Sequence, residues 1–227
     1  MSVTDRYSKP SDLPNIIPVF PLQGCILLPR TTLPLNVFEP RYLEMIDDVL
    51  AGDRLVGIIQ PRANRESEES PQDNGTPLRL TGCVGRLTAY SETDDARLLI
   101  TLAGICRFDV VNEAAWERPY RRCLVTYEPY HLDLVRGHGQ EAVDWPQLIE
   151  VLKTYLAARE MTADWESIER SPAELLVNTL SMISPYGPEE KQALLEARSL
   201  KERAEVLMAL ARMELAAPED GSGTSLQ

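Results

Sequence analysis

The sequence predicts an α+β chain in which a closed set of short strands comes first and a bundle of helices follows. Three observations carry that expectation. From Ile16 to about Leu134, β-branched and aromatic residues recur in short runs separated by turn formers. From Asp144 onward, apolar residues recur at three-and-four spacing. A single helical stretch interrupts the strands, bounded by Pro40 and Gly52, residues suited to the first turn and to the position just past the end. The expected divisions are 1–134 for a β-barrel with one inserted helix, 135–217 for a helical bundle and 218–227 for a disordered tail.

The strand-like runs are "NIIPVFPL", "CILLP", "LPLNVF", "RLVGIIQ", "RLTGCVGRLTAY", "ARLLITLAGICRFDVV" and "YRRCLVTYEPY". The segment 20–42 is apolar enough to suggest a membrane span, but Pro21, Pro29, Pro34 and Pro40 break it. Each interior proline would remove a helical hydrogen bond, so short extended pieces with sharp corners remain. Gly85 and Gly104 fall inside strand patterns and predict a bulge or tight bend. Strands this short and bent are expected to close on themselves, because closure removes exposed edges. Between Pro40 and Gly52, Tyr42, Met45, Ile46, Val49 and Leu50 share one helical face. The polar segment 61–79 reads as a long mobile loop. In the second half, Asp144 is an N-cap candidate, and Ser171/Glu174 and Ser199/Glu202 have capping-box spacing. Four or five helices are expected there.

Composition narrows the function classes. The net charge of −12 argues against a nucleic-acid binder, which presents a basic face. Cys25, Cys83, Cys106 and Cys123 lie far apart in apolar settings, as reduced buried thiols of a cytoplasmic protein do. His131 and His138 are the only histidines, and no Cys or His cluster has zinc-ligand spacing. The Gly-Lys dipeptide of a phosphate loop is absent, as are G-x-S-x-G and H-E-x-x-H. Arg118, Arg121 and Arg122 form the one compact basic group and read as protection of an exposed strand flank. No catalytic residue, metal or cofactor is expected.

The run "IPVFPLQGCILLPRTTLPLNVFEPRYLEMI" resembles the opening of the amino-terminal domain of Lon ATP-dependent proteases, with "FEPRY" its most specific block. "GCVGRL", "DDARLLITLAGICRFDV" and "EEKQALLEARSLKERAEVLMAL" are similar to later pieces in the right order, so the resemblance covers about residues 16–215. It implies a PUA-like β-barrel followed by a helical bundle, and recognition of unfolded polypeptide or a protein partner. Ser184 and Lys191 match no part of that family's Ser–Lys dyad. A free-standing substrate-binding domain is expected, with neither nucleotide nor proteolytic chemistry. The expected peptide site lies at the strand–helix junction. Leu35, Phe38 and Tyr42 would form its floor, and Glu39 and Arg41 would meet backbone or charged groups. The alternatives are ordinary packing with a Glu39–Arg41 ion pair, a small ligand or unrecognised enzyme site at the barrel mouth, and RNA binding of the kind PUA-like barrels perform.

Overall fold

A computed structural model describes residues 6–62, 76–93, 97–115 and 117–216. Six strands form one sheet: β1 (Ile16–Pro21), β2 (Thr32–Val37), β3 (Leu55–Pro61), β4 (Leu78–Glu92), β5 (Leu98–Glu113) and β6 (Arg122–Thr126). Their order is β2-β5-β4-β3-β1-β6, and β6 returns to pair with β5, closing a five-stranded barrel from which β2 extends. The β1–β3 pair is parallel and the other pairings are antiparallel. Strand β3 is buried from Leu55 to Gln60, so it reads as a continuous apolar run without alternation.

Closure depends on a corner in β5. Its first half pairs with β2 and its second half with β6. The turn between them is a bulge at Ile105, where Gly85 faces Gly104 while Val84 faces Cys106. The absence of a side chain at Gly104 is required here, since a Cβ would lie 2.0 Å from the Leu28 carbonyl oxygen. The "CILLP" run is not a strand, contrary to expectation. Residues 25–28 have no ladder partner among the described residues, yet Ile26, Leu27 and Leu28 are fully buried against the glycine pair. Burial, with no pairing edge available, made this segment apolar.

Helix α1 (Pro40–Ala51) follows β2, with Gly52 as its C-cap and Tyr42, Met45, Ile46 and Val49 buried. Five further helices form the second half: α2 (Trp145–Ala158), α3 (Trp165–Arg170), α4 (Ala173–Ile183), α5 (Pro188–Glu196) and α6 (Leu200–Ala216). Asp144 caps α2 through the Gln147 amide. Ser199 accepts the Glu202 amide, but the Glu202 carboxylate takes the Arg198 amide in place of the cap residue's own. The box expected at Ser171 does not form. Ser171 ends α3 and donates to the Ser167 carbonyl, while Glu174 turns to Arg30 and the Gly137 amide. A half-buried arginine outcompeted the local cap. The loop expected over 61–79 lies mostly outside the described residues, as does the tail at 218–227. No helix among the described residues is long and apolar enough to cross a membrane.

The core runs without a break from strands to helices. Phe20, Leu27, Leu28, Ile58, Leu87 and Leu102 belong to the same apolar cluster as Val177, Leu194, Leu207 and Met208. A second cluster around Phe108, Ile17, Val19 and Val125 uses the alternate residues of the strands.

Candidate functional site

The strand–helix junction sorts its residues sharply. Tyr42 is core: its ring stacks on Phe20 at 4.1 Å between centroids. Glu39 and Arg41 form an ion pair at 2.8 Å, and the Arg41 guanidinium lies 4.6 Å over the Tyr42 ring. Phe38 is 62% exposed, with Arg97 5.9 Å above its ring. Leu35 is half-buried on β2, whose outer edge has no strand partner among the described residues.

The register brings further apolar groups to this open edge. Leu35 lies opposite Ile100, which lies opposite Tyr90, so Leu35 and Tyr90 share one face. Asn36 lies opposite Leu99, and the two-residue period places Phe38 on that other face. Tyr90 and Leu99 are each about half exposed. The edge strand therefore has apolar side chains on both faces, Leu35 on one and Phe38 on the other, with Leu99 one strand in beside Phe38 and Tyr90 two strands in on the Leu35 face. Pro34 at its middle offers no amide hydrogen.

A second apolar concavity lies among the helices. A cleft of about 410 Å³ is bounded by α2, α4 and α6, with Leu152, Tyr155, Leu180, Tyr186 and Met208 on its walls. Exposed Met161 and Ile183 stand at its rim. The Glu214 carboxylate accepts from Tyr155 and Arg159, at 2.7 and 3.0 Å. These residues are widely separated in sequence and form no motif that marks a site.

Several polar side chains hold the barrel on the bundle, and others brace each half internally. Buried Arg107 donates twice to the Asp133 carboxylate at 2.8 Å, and to the Leu195 and Ala197 carbonyls at 3.1 and 2.5 Å. Burial alone would raise the Asp133 carboxyl, but the bonds and charge of Arg107 outweigh it and hold the pKa below the ordinary 3.8. Buried Arg203 donates to Asn178 and to the Leu194 carbonyl, and burial pushes its pKa down to about 9. Gln60 bridges to the Pro188 carbonyl and Gln192. Lys191 is buried, donating to the Ser181 and Met182 carbonyls. The basic group read as edge protection is different in kind at its centre: Arg121 is buried and bonded to Glu113 and the Thr76 carbonyl. Arg118 pairs with Asp48 at 3.3 Å. Both histidines are exposed, and burial pushes the cysteine thiols up. Among the described residues no group of His, Cys, Asp or Glu could hold a metal ion.

Residues 16–212 match the family described as the ATP-dependent protease La (LON) substrate-binding domain. The chain is 27% identical to a Lon protease of Syntrophus aciditrophicus over 97% of its own length and 28% of that protein's. It is 25% identical to a Lon protease of Flavobacterium johnsoniae over 85% of its length and 23% of that protein's. It thus spans about a quarter of these curated relatives. In fold it is similar to the N-terminal domain of a Mycobacterium avium complex Lon protease (TM-score 0.60, 19% identity, 87% of this chain and 98% of that one). It is also similar to a Lon N-terminal domain protein from Xanthomonas campestris (TM-score 0.56, 18% identity, 86% and 97%). With the family match covering both barrel and bundle, the chain belongs to the Lon substrate-binding domain family.

Proposed function

We propose that this chain is a non-catalytic module that binds unfolded polypeptide along the open edge of β2. The observation that carries the reading is the unpaired edge of β2 together with exposed Phe38 and Leu99 on one face and half-buried Leu35 on the other. An extended segment laid beside β2 would send alternate side chains to Leu35 on one side, and to Phe38, with Leu99 one strand behind it, on the other. Pro34 removes one backbone donor, so side-chain burial carries more of the affinity than ladder bonds do. That balance suits a site that accepts many sequences. Glu39 and Arg41 act here by fixing the start of α1 behind Phe38, and Tyr42 anchors that helix from the core. The family's description as a substrate-binding domain supports a polypeptide ligand.

The test is fluorescence anisotropy with a labelled, reduced and carboxymethylated protein as a permanently unfolded probe, without ATP. Saturable binding is expected, and Phe38→Asp should weaken it at least about tenfold. Because Phe38 is largely exposed, the same variant should change stability by about 0.5 kcal/mol or less. Wild-type protein that fails to bind, or a Phe38→Asp variant that binds equally well, would overturn the reading. A second reading, an apolar ligand in the α2–α4–α6 cleft, is favoured by a volume within the range of small-molecule sites. Leu152→Trp would fill that cleft, so loss of probe binding in this variant but not in Phe38→Asp would move the site to the helices.

A further inference from the structure

A second concavity differs chemically from both apolar surfaces. A pocket of about 270 Å³ is lined by Tyr7, Ser8, Arg30, Gly104, Ile105, Leu134 and Arg136. Two of these seven residues are arginines and none is an acid, in a chain whose net charge is −12. The Arg136 side chain is exposed and has no hydrogen-bond or ion-pair partner among the described residues. Arg30 uses only Nη1 in its described bonds, to the Asp133 carbonyl at 2.8 Å and Glu174 at 2.7 Å. Its Nε and Nη2 have no partner among the described residues.

Of the nearby acids, Glu174 is ion-paired with Arg30, and Asp12 keeps its charge but turns it to neighbouring amides. Glu174 also accepts the Gly137 amide at 2.9 Å, and Asp12 accepts the Ser8 amide, the Ser8 hydroxyl and the Lys9 amide. Further positive charge stands close behind: Arg86 donates to the Tyr7 hydroxyl at 3.0 Å, and Arg6 lies 5.2 Å from the Tyr7 ring. The Tyr7 hydroxyl, accepting from Arg86, keeps its own proton to donate.

One side of the pocket is held firmly. Arg30 is held in the left-handed region at φ 62°, where a residue with a side chain is rare and persists only when its surroundings impose it. Here they do: the Arg30 amide donates to the Gly104 carbonyl, and the Gly104 amide to the Thr31 carbonyl, each at 2.9 Å. With the two Nη1 bonds, this backbone holds the Arg30 guanidinium in place before any ligand arrives, which lowers the ordering cost of binding.

We propose that this pocket binds a small oxyanion, a carboxylate or phosphate group, between the guanidinium groups of Arg30 and Arg136. Arginine's planar fork of donors matches both anions. The volume lies just below the range usual for drug-sized ligands, which fits a single anionic group better than a large molecule. The site is separate from the β2 edge and does not depend on the polypeptide reading.

The experiment is a titration of the full chain followed by amide chemical shifts, with inorganic phosphate and acetate in separate arms and chloride at matched ionic strength as reference. Saturable shifts are expected at Ser8, Gly104, Ile105 and Arg136 with at least one of the two anions. A response to phosphate alone assigns a phosphate site, and a response to acetate alone a carboxylate site. Arg30→Gln would also release Glu174, so Arg136→Gln carries the test. It should weaken the binding about ten- to a hundredfold while leaving the remaining amide spectrum in place. No saturable shifts with either anion, the same shifts with chloride, or an unchanged affinity in Arg136→Gln would overturn the proposal.

Discussion

Replacing Arg107 by methionine is expected to destabilise the protein by about 3–5 kcal/mol, because it leaves the buried Asp133 carboxylate and two carbonyls without their donor. For a chain of this size the midpoint of thermal unfolding should fall by about 6–20 °C, read by circular dichroism at pH 7. The pH dependence separates this cause from simple loss of packing. Asp133 has a folded pKa below its unfolded value, so the ion pair's stabilisation is complete above the ordinary carboxylate pKa and is lost as pH falls through the folded one. In Arg107→Met, burial is left to dominate and the carboxyl takes up a proton more readily. The stability gap between wild type and variant should therefore be widest near neutrality and shrink as pH falls from the variant's raised carboxyl pKa through the wild type's lowered one. A gap constant from neutral pH into that acid range would show that Arg107 contributes packing alone.

Gly104→Ala is the second large effect. The added Cβ would meet backbone at Leu28, 2.0 Å from its oxygen and 2.8 Å from its carbonyl carbon, and no flexible side chain is there to move aside. The bulge would have to open or residues 25–28 leave the core, at a cost of about 3 kcal/mol or more. Gly52→Ala is the matched control. Its Cβ would approach nothing nearer than 3.4 Å, and its change should stay under about 1 kcal/mol. Denaturant unfolding of the two variants side by side checks this. Equal midpoints would mean that the corner is not what closes the barrel.

Much of the architecture was readable before the structure. The change of period near the middle of the chain, Pro40 and Gly52 around α1, and the glycines at the bend of β5 follow from local chemistry. What failed to read locally depended on distant partners. An apolar run such as "CILLP" has the same composition whether it pairs in a ladder or is buried without one. The cap expected at Ser171 lost Glu174 to Arg30, 144 residues away in sequence. At the candidate site, Phe38, Leu35 and the Glu39–Arg41 pair could be named from "FEPRY" and its surroundings, but Tyr90 could not. Strict alternation from Leu87 would send Tyr90 to the opposite face from Leu87. The register shift between Leu87 and Ala89 inserts one residue and puts Tyr90 back opposite Ile100, on the face that carries Leu35.

The bonds from Arg107 to the Leu195 and Ala197 carbonyls impose an order on biosynthesis. A ribosome adding roughly 5–20 residues per second would finish every barrel strand several seconds before either carbonyl exists. During that interval the nascent barrel has Asp133 to pair with Arg107 but no acceptor from the helices for its Nη1, on a flank still awaiting its helical cover. Holdase chaperones should therefore capture stalled chains that end shortly after Leu134, and release chains long enough for α5 and α6 to dock.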